Sequence, residues 1–335
     1  MKRILVTGGG GFVGTAIVRM ALAQGLECQV LGRNIYPAIV ALGASSLVGD
    51  IGDYRQVAAA CQGVDTVFHV AALAGIWGKW DDYFRTNVQG SENVIRACRE
   101  NGIRRLVYTS TPSVVFNGRD IVAGDESLPY ATRFLCHYAR SKVMAERMVL
   151  AANDGRLLTC ALRPHLIWGP GDPHLLPRLL AQGRKKALRI VGDGRNMVDI
   201  SYIDNVAHAH LLAGRNLATS ATAAGKAYFI SQGRPVELWP WLNSVFADAG
   251  IPPVRRRIPL PLAYGLGALL EIYQHLTAPT KEPRMTRFVA EQLARTHYFS
   301  LENAERDLGY APLVTTESGM QFLSAWMHDH EKRHC

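Results

Sequence analysis

The stretch TGGGGFVG at residues 7–14 follows a short apolar run, Ile4–Val6, and precedes a segment with helical periodicity. Gly8, Gly11 and Gly14 match the pattern GxxGxxG. In such a loop the first glycine permits a tight turn, the second lets the backbone approach a pyrophosphate, and the third lets helix and strand pack closely. The helix N-terminus then faces the anion. A strand before the loop and a helix after it therefore predict dinucleotide binding.

The pattern that follows this loop predicts an α/β fold with a Rossmann-type doubly wound parallel sheet, because short β-like runs alternate with helical stretches. The predicted strands are Arg3–Val6, Cys28–Leu31, Ser46–Val48, Thr66–Val70, Arg105–Thr109 and Thr159–Leu162, and the predicted helices include Val13–Gln24, Tyr83–Asn101 and Tyr138–Ala152. Prolines become frequent after about residue 170. We therefore expect an NAD(P)-binding domain at 1–170 and a smaller C-terminal substrate-binding lobe at 171–335. Residues 227–231 are expected to return to the Rossmann sheet.

The composition is that of an ordinary globular protein, with 48% hydrophobic and 19% charged residues among 335. The basic residues behind the net charge of +9 are mostly scattered, and dense runs such as Arg255–Arg257 are short, so we expect no nucleic-acid partner. The six cysteines form no CxxC pair, and no His or Cys cluster has metal-ligand spacing. These features predict reduced thiols, no metal and a cytoplasmic location.

No segment reaches the roughly 18 uninterrupted apolar residues of a membrane span. The nearest is Ile258–Leu276, which contains Pro259, Pro261, Glu271 and His275. We expect this segment to line the substrate cavity, and weak contact with a membrane is the alternative.

The second predicted strand ends at a position that indicates the cofactor. An NAD enzyme usually carries Asp or Glu about twenty residues after the glycine loop, where it binds the ribose 2′-hydroxyl. Here that position holds Arg33, and no acidic residue occurs between Glu27 and Asp50. A guanidinium binds a 2′-phosphate with forked hydrogen bonds, whereas a carboxylate repels it. Arg33 therefore predicts NADP(H), with NAD(H) possible if this arginine is only a surface residue.

A catalytic pair is predicted on one helix. Tyr138 and Lys142 stand at positions i and i+4, so both side chains share one face. A neighbouring ammonium favours the ionised phenol, which makes tyrosine competent as an acid or base. Hydroxyl residues at 108–113 end the predicted strand Arg105–Thr109, where one of them can bind a reacting carbonyl.

Ordered motifs along nearly the whole chain carry a family resemblance. They are TGGGGFVG at 7–14, GD at 49–50, HVAA at 69–72, NVQG at 87–90, YTSTPSVV at 108–115, YARSK at 138–142, LRPHLIWGPGD at 162–172 and GDGRNMVDISYIDNVAHAH at 192–210. The chain resembles extended short-chain dehydrogenase/reductases of the 3β-hydroxysteroid dehydrogenase type.

This resemblance implies roles for individual residues. Tyr138 and Lys142 would be the acid–base pair, and Thr111, just before Pro112, the catalytic hydroxyl. Ser110 is the alternative, because serine is commoner at the family's position. The cofactor-binding residues, including those of the glycine loop, would be Gly8, Gly11, Phe12, Val13, Gly14, Arg33, Asp50, Ile51, Ala71, Ala72, Asn87, Lys142, Arg163 and Pro164.

The resemblance also implies a reaction. We expect hydride transfer at C3 of a lipid-like β-keto or β-hydroxy acid, interconverting 2-alkyl-3-oxoalkanoic and 2-alkyl-3-hydroxyalkanoic acids in olefin biosynthesis. Oxidation of a 3β-hydroxysteroid or a sterol 4α-carboxylate is the alternative. A nucleotide-sugar epimerase or dehydratase, and a non-catalytic regulator, are weaker alternatives. A homodimer and association with other olefin-pathway enzymes are further expectations. Arg163, His165 and His174 are candidates to bind the substrate carboxylate.

Overall fold

A seven-stranded parallel sheet is the centre of the computed structural model, which describes residues 1–334. Its strands lie in the order β12-β7-β5-β4-β1-β2-β3. In chain order the strands are β1 (Arg3–Thr7), β2 (Glu27–Gly32), β3 (Ser45–Val48), β4 (Thr66–His69), β5 (Arg105–Thr109), β6 (Ile121–Gly124), β7 (Leu158–Pro164), β8 (Ile167–Trp168), β9 (Ile190–Val191), β10 (Met197–Val198), β11 (Ser201–Tyr202), β12 (Lys226–Ile230), β13 (Val236–Glu237), β14 (Arg257–Ile258) and β15 (His297–Phe299).

Helices cover both faces of this sheet, and further helices belong to the rest of the chain. They are α1 (Phe12–Ala23), α2 (Pro37–Ala41), α3 (Tyr54–Ala60), α4 (Trp80–Tyr83), α5 (Gly90–Glu100), α6 (His137–Ala151), α7 (Leu175–Arg184), α8 (Ile203–Ala218), α9 (Leu238–Asp248), α10 (Leu260–Thr277), α11 (Arg287–Ala294), α12 (Glu302–Leu308) and α13 (Thr316–His334). A π-helical segment, Phe84–Gln89, joins α4 to α5, and a 3₁₀ helix spans Pro112–Val114. The predicted doubly wound α/β fold is confirmed.

The alternation of side chains along each strand divides the core into two layers. In β1, Ile4 and Val6 pack with α1 and α8 on one face of the sheet. Leu5 points to the other face and packs with residues of α3, α5 and α6. Because both faces are covered, the strand is a continuous apolar run, as expected for a parallel sheet between helical layers.

A smaller lobe lies beyond the sheet and is built around a four-stranded sheet in the order β13-β10-β15-β6. Strand β6 comes from the first half of the chain, whereas β12 comes from the second half and pairs in parallel with β7 of the large sheet. The proposed division at residue 170 therefore separates two stretches of sequence that each contribute a strand to the other unit.

One predicted helix differs in the structure. The stretch Tyr83–Asn101 is not one regular helix, because the π-helical segment Phe84–Gln89 precedes α5. π-Helical turns inside helices often occur at functional sites. This one carries Asn87 into the buried interface between the loop after β4 and α6.

Cysteines Cys28, Cys61, Cys98, Cys136 and Cys160 are buried and free, and Cys335 lies outside the described residues. Among the side chains of residues 1–329, no group of three or more His, Cys, Asp or Glu is placed to hold a metal ion. No helix within the same range combines the length and apolar character needed to cross a bilayer.

The contact between β1 and α1 leaves no room for side chains in the glycine loop. Gly8 adopts φ +69°, in the left-handed region that favours glycine. A Cβ on Gly14 would lie 2.3 Å from the carbonyl oxygen of Gly8 and 2.5 Å from the Cα of Gly9. Both neighbours are backbone atoms that cannot rotate away, so the close approach of helix and strand depends on glycine here.

We predict that Gly14→Ala destabilises the protein by about 1–3 kcal/mol, the usual effect of overpacking. Alanine would normally stabilise a helical position relative to glycine, so the sign reports the steric clash. Denaturant unfolding measures the change. Gly155→Ala is the matched control, because a Cβ at Gly155 meets nothing within 4 Å. Equal stability of the two variants would contradict the proposed packing constraint.

Candidate active site

A cavity of about 630 Å³ opens at the carboxyl edge of the sheet. It lies where β1 and β4 are neighbours and the helices that follow them turn to opposite faces, which is where α/β sheets bind ligands. Of the predicted site residues, those that line it are Gly8, Gly11, Phe12, Val13, Gly14, Arg33, Asp50, Ile51, Ala71, Ala72, Ser110, Thr111, Tyr138, Lys142, Pro164 and His174.

The glycine loop presents backbone donors to this cavity. Gly8 donates its N–H to the carbonyl of Leu31 (2.8 Å), and Gly11 donates to the carbonyl of Gly8 (3.0 Å), which fixes the turn. Gly11 is the N-cap of α1 and supplies no side-chain cap, so the first amides of α1 keep their hydrogen-bonding capacity for a ligand. This uncapped helix start and the space around Gly8 and Gly14 fit the pyrophosphate of a dinucleotide.

Arg33 lies at the opposite end of the cavity from the β5 hydroxyl residues, directly after β2. Its side chain is exposed and forms no hydrogen bond or ion pair with the described side chains of residues 1–329. Tyr36 lies beside it, with its ring packed over Gly10 and Gly32, where a Cβ would come within 2.2 Å and 2.5 Å of the ring. A free cation beside an aromatic ring suits the phosphorylated ribose end of a dinucleotide.

Asp50 closes the same end of the cavity. One oxygen of its carboxylate accepts from the N–H of Gly52 (2.8 Å), and the other pairs with Arg85 (2.9 Å). These contacts hold Asp50 and its neighbour Ile51, both expected to bind the cofactor, at the cavity wall.

Asn87 is predicted as a cofactor residue, but it does not line the cavity. Its side chain is buried and holds Leu73, on the loop after β4, through the Leu73 N–H (2.7 Å) and carbonyl (3.1 Å). It also donates to Ser141 Oγ of α6 (2.9 Å). Asn87 therefore positions the loop that carries Ala71 and Ala72 against the helix that carries Tyr138.

Tyr138 meets the hydroxyl cluster at the end of β5. The Thr111 hydroxyl donates to Ser113 Oγ (3.2 Å) and accepts from the N–H of Ser113 (3.2 Å), and it also interacts with the Tyr138 phenol, whose pKa it lowers. The neighbouring Ser110 Oγ is buried and has no hydrogen-bond partner within 1–334. Desolvation raises the pKa of Tyr138 to about 12, and the Thr111 hydrogen bond only partly opposes this rise. A phenol with a raised pKa carries its proton at neutral pH, as the acid of a ketone reduction must.

Lys142 is buried one turn further along α6. Its Nζ donates to the carbonyl of Thr109 (2.6 Å) and lies 4.1 Å from the centre of the Tyr108 ring. Desolvation lowers the pKa of Lys142 to about 7, whereas the negative charge of Glu146 raises it. Lys142 therefore changes between its charged and neutral forms close to neutral pH.

A buried ion pair lies below Lys142. Glu146, four residues further along α6, accepts a forked pair of hydrogen bonds from Arg163, with Nε–Oε2 at 3.1 Å and Nη2–Oε1 at 2.5 Å. Tyr130 donates its hydroxyl to the same carboxylate (2.8 Å). Arg163 was expected to contact the cofactor, but only its neighbour Pro164 lines the cavity. The guanidinium instead compensates the charge of Glu146.

The three candidates for contact with the substrate carboxylate lie in different surroundings. Arg163 is committed to Glu146, and His165 is buried, with its Nε2 2.6 Å from Nδ1 of His297. Desolvation keeps the pKa of His165 well below the ordinary value, so this imidazole is neutral. His174 alone of the three lies at the cavity rim. No residue of 258–276, the segment expected to line the substrate cavity, is among those that line this cavity.

Most of the chain matches a known family. A model of the 3-beta hydroxysteroid dehydrogenase/isomerase family matches residues 5–262. The chain belongs to this family. As a member it is an NAD(P)-dependent oxidoreductase that acts on hydroxyl groups.

Two curated relatives cover almost the whole chain. A 2-alkyl-3-oxoalkanoate reductase from Shewanella oneidensis is 49% identical over 97% of this chain and 86% of its own length. A sterol-4-alpha-carboxylate 3-dehydrogenase, decarboxylating, from Mus musculus is 35% identical over 96% of this chain and 89% of its own length.

A solved structure shows the same fold. The crystal structure of gox2253 superposes with a TM-score of 0.80 at 27% identity, and the match covers 98% of this chain and 99% of that chain. The arrangement of the large sheet and the smaller lobe is thus shared between this family member and a much less similar sequence.

Some residues of this family member's site were missed from sequence. Tyr36 lines the cavity but stands in no recognisable motif, and Ile167 lines it but was quoted only as part of the motif at 162–172. Asp172 was quoted only as part of a motif, yet its carboxylate accepts from the amides of His174 (2.8 Å), Leu175 (3.1 Å) and Leu176 (2.7 Å). An Asp two to four residues before a helical pattern is a capping signal that could have identified this role.

We predict that Glu146→Gln lowers the pKa of Lys142, because the substitution removes the negative charge that raises it. An ammonium persists only below its pKa, so ketone reduction should be lost at lower pH in the variant. The high-pH limb of kcat/KM should move down by about one pH unit.

Stability must be separated from this effect, because the single variant leaves Arg163 without a partner at a cost of about 3–5 kcal/mol. In Glu146→Gln/Arg163→Met the unpaired charge is gone, so unfolding stability should recover while the pH limb stays low. A pH profile identical to that of the wild type in both variants would disprove the coupling.

Proposed function

We propose that this protein is an NADP(H)-dependent reductase that interconverts 2-alkyl-3-oxoalkanoic and 2-alkyl-3-hydroxyalkanoic acids in olefin biosynthesis. The observation that carries the proposal is the 49% identity to the Shewanella 2-alkyl-3-oxoalkanoate reductase across 97% of the chain, against 35% to the mouse sterol dehydrogenase. Both relatives' names describe chemistry at a carbon that bears a hydroxyl or keto group, so Tyr138 and Lys142 would serve either substrate.

The preference for NADP(H) rests on Arg33. Its guanidinium lines the cavity and has no partner among the described side chains of residues 1–329, so it is free to bind a 2′-phosphate. The only carboxylate near it along the cavity wall is Asp50, which is already paired with Arg85 at 2.9 Å. A carboxylate for the 2′-hydroxyl of NAD(H) does not occur at the end of β2.

The proposed mechanism uses three side chains. Thr111 follows the carboxyl end of β5, and Tyr138 and Lys142 lie in the first two turns of α6. The bound dinucleotide supplies the hydride for C3 of the keto acid. Tyr138, held protonated by its surroundings, gives its proton to the forming alkoxide, which is a stronger base than a phenolate. Thr111 donates a hydrogen bond to the same oxygen. Lys142 stabilises the resulting phenolate by its charge, and its hydrogen bond to the Thr109 carbonyl fixes its position.

Thr111 is favoured over Ser110 as the hydroxyl donor because it hydrogen-bonds with the Tyr138 phenol. His174 at the cavity rim is the proposed contact for the substrate carboxylate. The apolar side chains of Ile167 and Leu175 lie at the same rim and would pack against the acyl chains. By resemblance we also propose a homodimer that works beside other enzymes of olefin formation.

The substrate is tested by measuring cofactor turnover with racemic 2-alkyl-3-hydroxyalkanoic acids and with 3β-hydroxysterols. We expect higher kcat/KM for the hydroxy acids, because their acyl chains fit the apolar rim. Tyr138→Phe removes only the phenolic hydroxyl, so turnover should fall by about 10²–10⁴-fold. Binding of NADPH should be unchanged in this variant.

Two outcomes would overturn the proposal. Preference for the sterol would favour the alternative substrate class, and near-normal turnover in Tyr138→Phe would exclude Tyr138 as the acid. Thr111→Val should lower turnover more than Ser110→Ala, and the reverse order would move the hydroxyl donor by one residue.

Cofactor choice is tested with Arg33→Asp. One charge-assisted hydrogen bond contributes about 1.5–3 kcal/mol, so the wild type should prefer NADPH by roughly tenfold to a hundredfold in kcat/KM. In the variant, repulsion replaces attraction and the ribose hydroxyl gains an acceptor, so the preference should reverse. Activity with NADH should persist, since the catalytic residues are untouched. A wild type that prefers NADH would contradict the role of Arg33.

A further inference from the structure

Helix α10 exposes apolar side chains along its whole length. Leu262, Leu266, Leu269, Tyr273 and Leu276 recur at intervals of four and three residues, so they form one stripe along the helix, called here the apolar stripe. Each member is between 44% and 81% exposed, and Ile272 beside them is 60% exposed. Contiguous apolar patches of this kind on soluble proteins mark surfaces that contact a partner or a membrane.

The polarity of α10 is the reverse of an ordinary surface helix. Glu271 is its only charged residue other than histidine, and it lies on the buried side together with Ala263 and Gly267. Arg287 neutralises it, donating its backbone N–H to Oε1 (2.7 Å) and its Nε to Oε2 (2.7 Å). A helix kept in water normally exposes its charges, so α10 is built for an apolar environment on its outer side.

Cationic side chains lie at both ends of α10. Arg255, Arg256 and Arg257 are exposed just before it, and Lys281 and Arg284 are exposed just after it. None of the five forms an ion pair with another side chain of residues 1–329. The one carboxylate between the last two, Glu282, is paired with Arg178 at 2.5 Å. The apolar stripe is therefore bounded by unneutralised positive charge on both sides.

We propose that α10 lies flat on an anionic lipid surface, with the apolar stripe in the acyl region and the flanking cations at the phosphate headgroups. Interfacial helices bind in this way, through buried apolar area together with attraction to anionic lipids. The 18-residue helix does not meet the requirements of a membrane span, so the contact is peripheral.

A second copy of this chain fits the same face less well. The four-and-three spacing could pair two copies of α10, as in a coiled coil. An antiparallel pair would bring Arg255–Arg257 of one copy against Lys281 and Arg284 of the other, and a parallel pair would bring identical basic ends together. Like charges oppose each other in both arrangements, whereas lipid phosphates complement them.

The surface is also connected to the candidate active site. Trp77, on the loop that follows β4, donates its Nε1 to the carbonyl of Pro279 (2.9 Å), and its ring lies 4.5 Å from that of His275. The same loop begins with Ala71 and Ala72, which line the cavity. Docking of α10 would thus place the cavity rim beside the lipid surface, where a long-chain acid partitions; this last step rests on the proposed function.

Flotation with lipid vesicles tests the proposal on the full-length protein. We expect binding to vesicles of phosphatidylcholine with phosphatidylglycerol, weaker binding to phosphatidylcholine alone, and loss of binding at high salt. Leu266→Gln/Leu269→Gln should weaken binding by at least about tenfold, because two exposed leucines can no longer be buried. Arg255→Gln/Arg256→Gln should weaken it selectively on the anionic vesicles. Leu313→Gln is the matched control, since Leu313 is 59% exposed but lies away from α10.

Failure of the wild type to bind anionic vesicles at low salt would overturn the proposal, as would equal binding by the leucine variant and its control. Sedimentation velocity separates the competing explanation: a dimer that becomes monomeric in Leu266→Gln/Leu269→Gln, without vesicle binding, would make this face a contact between copies. Thermal unfolding checks that the variants are folded. Turnover of a short, water-soluble substrate should be unchanged in all of them, so a wrong substrate assignment would appear in that assay and not in the flotation.

Discussion

The buried ammonium of Lys142 is the charge around which the candidate active site is arranged. A cation removed from water must be compensated by nearby acceptors or by opposite charge. The carbonyl of Thr109 at the end of β5 and the carboxylate of Glu146 on α6 provide this compensation, and Arg163 of β7 in turn neutralises the carboxylate. These contacts join two neighbouring strands to one helix. They hold α6 in a fixed position on the sheet, and so they hold Tyr138 at the cavity.

The large sheet was predictable because its signals are local. The glycine loop at 7–14 and the alternation of apolar runs with helical stretches follow from a few consecutive residues each, and the structure confirms the doubly wound fold. The pairing of β6 with β15 was not predictable in this way, since it joins residues about 175 positions apart. The π-helical segment at 84–89 was missed for a related reason. It is stabilised by the contact of Asn87 with Leu73 and Ser141, which no helical periodicity reveals.

In the site, spacing predicted which residues share a helix face, but not which residues they meet on other elements. Tyr138 and Lys142 follow from their four-residue interval, and both line the cavity. The diversion of Arg163 to Glu146 depends on how β7 packs under α6. The position of α10 was not predictable for a similar reason. Its sequence is apolar on nearly every side, so periodicity alone did not show that Glu271 points inward, to Arg287, while the leucines point outward.

The two strand exchanges determine how the smaller lobe is attached to the sheet that carries the candidate active site. Strand β12 extends the large sheet beside β7, and β6 leaves the first half of the chain to pair in the smaller lobe. The lobe is thereby fixed to the sheet edge at two points. The glycine loop and Tyr138 stand on the sheet and on helices packed against it, so they tolerate changes elsewhere. Ile167, Asp172 and His174 lie on the connection that leaves β7 for the lobe, where sequence can vary without disturbing Lys142. The sheet and the lobe are retained together in gox2253 at 27% identity, with a TM-score of 0.80, so this attachment does not depend on most of the individual residues.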